Sequence, residues 1–327
     1  MPNDWKGRAV LVTGGLGFIG SNLALRLAEL EARVTVVDSL VPGHGGNRFN
    51  LAPARDRVRL VIGDLRENKI IENAVKGQEV IFNLAGQVSH TDSMEDPFTD
   101  LEINCRSQLS LLEACRAHNR DGKIIFAGTR GQYGKPQRLP VDETHPQRPT
   151  DINGIDKTAG EAYHLLYHQV HGIRACSLRL TNTYGARHQM RSSRQGIVNW
   201  FIRLALGNAT IPIYGDGLQM RDCNYVDDVV DAFLLAAGPA TDGQVYNLGG
   251  GDPRPLIELA RMIVSLAGGG RIETVEFPAS SRAIEIGSYH ADFSRFHQAT
   301  GWGPRVALRD GLQRTIDYYR EHRSHYF

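Results

Sequence analysis

At 327 residues, with 41% hydrophobic and 22% charged side chains, the chain is about twice a typical domain and has the composition of an ordinary soluble globular enzyme. Its 37 basic and 36 acidic residues leave a net charge of +1 with no block of like charge, which argues against nucleic acid or an anionic membrane as partner. No apolar run reaches signal-peptide or transmembrane length, Met1–Gly7 included, and Cys105, Cys115, Cys176 and Cys223 have spacings that suit neither zinc nor a redox pair, so reduced thiols, no metal and a cytoplasmic location are expected.

Short apolar runs alternate with amphipathic stretches through the first half. Ala9–Val12, Val34–Val37, Val58–Ile62, Val80–Leu84, Lys123–Ala127 and Ala175–Leu180 read as strands, with helical periodicity over Phe18–Leu30 and Leu101–His118. This alternation predicts an α/β fold, a parallel doubly wound sheet of the Rossmann type with helices on both faces. After Leu180 the pattern loosens into loops rich in Gly, Arg and Asn, with shorter helices at Ile197–Leu206, Val226–Ala236 and Leu256–Leu266. The expected division is a dinucleotide-binding domain over 1–180, to which 223–250 returns, and a smaller α/β substrate lobe from 181–222 and 251–327. Ala267–Gly270 reads as a turn and not as a boundary.

The strongest motif is Val12-Thr13-Gly14-Gly15-Leu16-Gly17-Phe18-Ile19-Gly20, which follows an apolar strand and opens a helix. Gly14, Gly17 and Gly20 suit a tight turn, close backbone approach to a pyrophosphate and close packing of helix on strand, each of which excludes a β-carbon. The helix start, with Phe18 and Ile19, offers free amides to phosphate. Asp38 ends the next strand, where a carboxylate binds ribose hydroxyls and repels a 2′-phosphate, so NAD is expected over NADP.

With Gly63-Asp64-Leu65, Asn83-Leu84-Ala85-Gly86, Asn104, Gln132-Tyr133-Gly134, the run Arg179–Gly185, Gly215-Asp216-Gly217, the run Arg221–Asp228 and Asn247-Leu248-Gly249 in order, the chain resembles the extended short-chain dehydrogenase/reductase family, in its NAD-dependent nucleotide-sugar epimerase/dehydratase branch. The resemblance implies that Asp64 and Leu65 flank the adenine and that Ala85, Gly86 and Asn104 serve the cofactor site, although Gly86 is more often alanine. It also implies that Asn182 contacts the substrate near its diphosphate, and that Arg221 and Arg282 clamp that diphosphate. Planar guanidinium forks suit such a task.

Catalysis in that family rests on Ser or Thr, Tyr, and Lys four residues after the Tyr. Here Thr129 and Lys157 hold their places, but the tyrosine position reads Asn153. An amide is neither acid nor base near neutrality. Three readings stay open: another group serves as base (Lys157, Asp156, His90 or Tyr133), the reaction needs less acid–base help, or the protein binds without turnover. Asp156 points about 100° from Lys157 on a helix and ranks below it.

Where dehydratases of the branch carry Asp-Glu after the threonine, and decarboxylases a Glu, this chain has Arg130-Gly131, which weighs against both reactions. Arg130 hints at an acidic group on the sugar, with an ion pair to a neighbouring carboxylate as the plainer use. The expected function is therefore an NAD-dependent nucleotide-sugar epimerase, which oxidises a ring carbinol transiently and recovers the hydride, acting on a nucleotide-diphosphate sugar. The alternatives are an oxidoreductase or dehydratase with net redox or elimination chemistry, and a non-catalytic binder. The resemblance also implies a homodimer through Leu101–His118 and Gly154–His171, and leaves substrate choice to the loops 186–194 and 252–288.

Overall fold

The computed structural model describes residues 4–327 and, apart from positions 279–281, their side chains; Met1–Asn3, part of the stretch inspected for a leader, lie outside the described residues. In chain order the elements are β1 (Ala9–Thr13), α1 (Phe18–Glu29), β2 (Arg33–Asp38), β3 (Val58–Ile62), α2 (Asn68–Val75), β4 (Val80–Asn83), α3 (His90–Glu95), α4 (Pro97–Leu101), α5 (Ser107–His118), β5 (Lys123–Thr129) and α6 (Ile152–His171). They continue through β6 (Ala175–Leu180), β7 (Asn182–Tyr184), α7 (Ile197–Leu206), β8 (Thr210–Tyr214), β9 (Met220–Arg221), β10 (Cys223–Tyr225), α8 (Val226–Ala236) and β11 (Gln244–Asn247). The chain ends with β12 (Arg254–Pro255), α9 (Leu256–Ala267), β13 (Arg271–Val275), α10 (Ala279–Ile284), α11 (Ser294–Thr300), α12 (Leu308–Glu321) and α13 (Arg323–Tyr326).

Seven strands form one parallel sheet in the order β11-β6-β5-β4-β1-β2-β3. All six expected strands are in it, and β11 adds the seventh. Side chains of a strand alternate between faces. Val10 and Val12 of β1, Phe82 of β4 and Ile125 of β5 enter the same core as α1 and α8, closed by Trp302. Leu11, Ile81 and Ile124 enter the opposite one, with Ile71 of α2 and Leu112 of α5. Burial on both faces explains why these strands read as unbroken apolar runs.

Beyond the sheet, β7 pairs with β10, β8 with β13, and β9 with β12. Phe201 and Ile202 of α7, Ile213 of β8, Leu259 of α9 and Leu312 of α12 share a second core. The helix expected over Leu101–His118 differs from a plain α-helix. A π-helical turn, Glu102–Arg106, separates α4 from α5. Ser107 Oγ and Gln108 Nε2 both donate to the Ile103 carbonyl, at 2.6 and 3.3 Å, so side chains intrude on the backbone ladder there. Among the described residues no helix is long and apolar enough to cross a membrane.

Strand order reverses between β1 and β4. To one side lie β2 and β3, to the other β5, β6 and β11, so the crossover helices diverge and leave a crevice at the carboxyl edge. The glycine turn sits in that crevice. Gly14 has φ of +67°, and a β-carbon on it would stand 2.9 Å from the Ala85 backbone. One on Gly20 would fall inside the Gly14 carbonyl. Gly20→Ala is therefore expected to lower the unfolding free energy by about 1–3 kcal/mol, the usual cost of overpacking. A urea titration without ligand checks it, and an unmoved midpoint would show that the turn relaxes freely.

Candidate active site

A cavity of about 510 Å³ opens at the crevice and is lined by residues at the carboxyl ends of β1 to β6. On its cofactor side stand Gly14, Gly17, Phe18, Ile19, Gly20, Asp38, Asp64, Leu65, Ala85 and Gly86, as the sequence reading expects. Gly17 caps α1 without a side-chain hydrogen bond, which leaves the first-turn amides free for an anion. Asp38 is fixed by the amides of Leu16 (2.9 Å to Oδ2) and Leu40 (2.8 Å to Oδ1). Burial raises its pKa and those amides oppose the rise. Each oxygen keeps lone pairs for ribose hydroxyls. Asp64 is held ionised by Arg66 at 2.7 Å. A glycine turn without β-carbons, an uncapped helix start and a buried carboxylate at the end of β2 fit NAD.

Asn104 stands behind this wall and does not line the cavity. It is fully buried, and its Nδ2 donates to the Gln87 carbonyl and to Asp100 Oδ1, both at 2.9 Å. Its Oδ1 has no partner among the described residues, and it shares with Lys157 Nζ the place a Gly86 β-carbon would take, 2.8 Å from each. An alanine at 86 would displace one of them, which accounts for the glycine.

The reaction side is lined by His90, Thr129, Arg130, Asn153, Lys157, Asn182 and Arg221. Thr129 ends β5, and its Oγ1 accepts from the Gly131 amide at 3.2 Å. Asn153 is 3% exposed, and its amide is spent on the wall, donating to the Gln87 carbonyl at 2.8 Å and to Asp100 Oδ2 at 3.4 Å. One turn along α6, Lys157 Nζ donates to the Ala127 carbonyl at 3.3 Å, and burial brings its pKa down to about 8. Asp156 lies off the cavity against Asp100. Burial, then the hydrogen bond and charge of Asp100, push its carboxyl up to about 7.

Besides Asn104, two expected residues do not line the cavity. Tyr133 is fully buried, donating to Asn247 Oδ1 at 2.7 Å and accepting from Arg179 at 2.6 Å, with Arg179 itself ion-paired to Glu161. The turn after β5 buries it, and it does not line the cavity. Arg282 is exposed on α10 and does not line the cavity. Arg130 and Arg221 both line the cavity. The ion pair considered for Arg130 is absent among the described residues: it donates to Asn182 Oδ1 at 3.3 Å and lies over the Tyr289 ring, 5.6 Å from its centroid, while burial and the charge of Arg221 bring its pKa down to about 10. Arg221 pairs with Glu285 at 2.8 Å.

Sequence reasoning missed Asp151, Asp100 and Arg194. Asp151 carries a local signal, since it caps α6 by accepting from Gly154 N at 2.8 Å. Its second role, a 2.7 Å contact from Oδ2 to His90 Nδ1 across 61 residues, carries none. Arg194 closes the cavity mouth by pairing with Asp92 and Glu95 of α3.

Sheet, crevice and glycine turn define a dinucleotide-dependent enzyme of the doubly wound class. Residues 10–249 match the model of the NAD dependent epimerase/dehydratase family, and the chain belongs to that family. A putative UDP-glucose 4-epimerase of Methanocaldococcus jannaschii is 33% identical over 95% of this chain and 98% of its own. A dTDP-glucose 4,6-dehydratase of Streptomyces niveus is 30% identical over 96% and 94%. The crystal structure of a UDP-glucose 4-epimerase from Thermotoga maritima with UDP-glucose superposes with a TM-score of 0.85 at 30% identity, covering 96% of this chain and 99% of that one. The protein is accordingly an NAD-dependent enzyme of nucleotide-sugar epimerase/dehydratase type.

The acid pair gives a pH prediction. A carboxyl with a raised native pKa binds more protons folded than unfolded, so its contribution to stability falls as pH rises from about 4 to about 7. Asp156→Asn lacks that loss. Its melting temperature relative to the parent is expected to climb between about pH 5 and pH 8, and a constant difference in calorimetric scans would refute the shared proton.

Proposed function

We propose that the protein is an epimerase of a nucleotide-diphosphate sugar. The observation that carries this reading is Arg130, followed by Gly131, lining the cavity next to Thr129, where elimination chemistry would call for carboxylates. Relatives of similar identity carry both epimerase and dehydratase names, so the choice rests on these side chains.

When bound, NAD supplies a hydride acceptor for a ring carbinol. Thr129 Oγ hydrogen-bonds the reacting hydroxyl, and the Lys157 cation favours loss of its proton. Arg221, Arg130 and Asn182 hold the diphosphate, the two guanidinium groups offsetting its charge in a partly desolvated site. Asn153 keeps the wall rigid and takes no proton. The dinucleotide half and the substrate lobe meet at this cavity, with residues 181–222 and 251–327 supplying the lobe.

A panel of nucleotide-sugars incubated with the NAD-loaded protein and read by NMR is expected to show inversion at one ring carbon. The NADH absorbance band stays flat. Stoichiometric NADH would replace the reading with net oxidation, and an unchanged panel would remove it. Arg221→Ala is expected to raise KM roughly 10–100-fold, the loss of one charge-assisted hydrogen-bonding group, with kcat less affected.

We also propose a homodimer through α4 and α6. Phe98 and Leu101 of α4 and Ile155, Leu166 and Val170 of α6 are exposed, Phe98 to 78%. Such apolar faces on a folded chain mark partner surfaces. Phe98→Asp is expected to sediment as a monomer where the parent sediments as a dimer; equal coefficients for both would end the proposal.

A further inference from the structure

Oxidising a carbinol requires a group that takes the hydroxyl proton, and the family's usual position for it holds Asn153. Tyr133 is sealed beneath the cavity, and Lys157 directs Nζ at the Ala127 carbonyl. His90 differs from both. It lines the cavity, its side chain is 41% exposed, and no bond involving its Nε2 is found among the described residues.

Its other nitrogen is held. Nδ1 lies 2.7 Å from Asp151 Oδ2, and Asp151 Oδ1 accepts from the Gly154 amide at 2.8 Å, so the carboxylate is pinned to the start of α6. Burial opposes the charge of Asp151, but the His90 contact and the helix amide outweigh it and lower its pKa. An ionised carboxylate can only accept, so Nδ1 carries the proton, and in the neutral imidazole Nε2 is then the acceptor. The imidazole and the Thr129 hydroxyl both border Gly131. The point where a Gly131 β-carbon would lie is 3.2 Å from His90 Cε1 and 3.6 Å from Thr129 Oγ1.

We propose that His90, oriented by Asp151, is the acid–base residue of this enzyme. The inference rests on the epimerase reading. As the ring C–H leaves as hydride to the nicotinamide and the carbonyl forms, the hydroxyl proton passes to Nε2. Reduction from the other face of the sugar reverses both transfers, and Nε2 gives the proton back to oxygen. No proton is gained or lost over the cycle. Arg194, a cation beside α3, is paired with Asp92 and Glu95. A carboxylate–imidazole pair is the arrangement that elsewhere fixes the tautomer of a general base.

The test separates a catalytic from a structural dyad. In His90→Asn the amide still donates to Asp151 but no base remains. Its kcat is expected to fall about 100-fold or more, the range for a general base, while calorimetric NAD affinity and melting temperature hold. Nitrogen NMR of the ligand-free protein is expected to show the Nδ1–H tautomer, and Asp151→Asn to let the Nε2–H tautomer appear. A His90→Asn enzyme keeping more than a tenth of kcat overturns the proposal, as does an Nε2–H tautomer. If the parent turns over no nucleotide-sugar, the epimerase reading fails and the tautomer decides the dyad alone.

Discussion

The crevice in which the functional groups of this protein meet is set by one topological constraint. All seven strands run the same way, so their carboxyl ends share an edge, and the reversal of order between β1 and β4 keeps the crossover helices from covering it. The turn after β1, the carboxylate ending β2, the loops after β3 and β4 and the threonine ending β5 therefore arrive at one crevice. The approach of Gly14 to the Ala85 backbone holds the two central strands' turns together at its base. Reaction groups are then added from outside the sheet by α3, by α6 and by the β9 arginine.

Around that crevice the protein buries an unusual amount of charge, and each charge has a use for its neighbours. Arg179 and Glu161 lie almost wholly buried at 2.5 Å, with Ser177 and Tyr133 satisfying the remaining atoms. Breaking such a pair strands a charge and costs about 3–5 kcal/mol. It anchors the turn that aims Thr129 and Arg130 at the cavity, which explains why Tyr133 is a support. Lys157 and the Asp100–Asp156 pair form the counterpart on the other side of β5, and their protonation follows from desolvation and mutual charge.

Local patterns carried most of the fold. Apolar runs announced the central strands because two-sided burial leaves no polar alternation, the edge strand β3 being largely exposed, and the glycine turn announced the cofactor because its chemistry lies within nine consecutive residues. What stayed hidden depends on long-range meeting. His90 and Asp151 are far apart in sequence, and nothing in either segment names the other. Tyr133 and Arg282 were placed by motif, yet the path of the turn after β5 and the short helix α10 carry them elsewhere. The π turn ahead of α5 arises from side chains competing for one carbonyl, a choice that helical periodicity does not register.

Asn153 becomes intelligible once Asp100 is seen behind it. The Asp100 carboxylate lies 3.4 Å from the Asn153 amide, and Asp156 lies on the far side of that carboxylate. A phenol in this place would have to ionise in a buried setting beside a negative charge, and both effects raise its pKa. The hydroxyl that normally serves as base would be held protonated. An amide has no proton to lose there, and it donates both to the Gln87 carbonyl and to the carboxylate. The acid pair and the asparagine thus suit each other. They move the demand for a proton acceptor across the cavity, to a wall where a carboxylate stands behind an imidazole instead of behind a phenol.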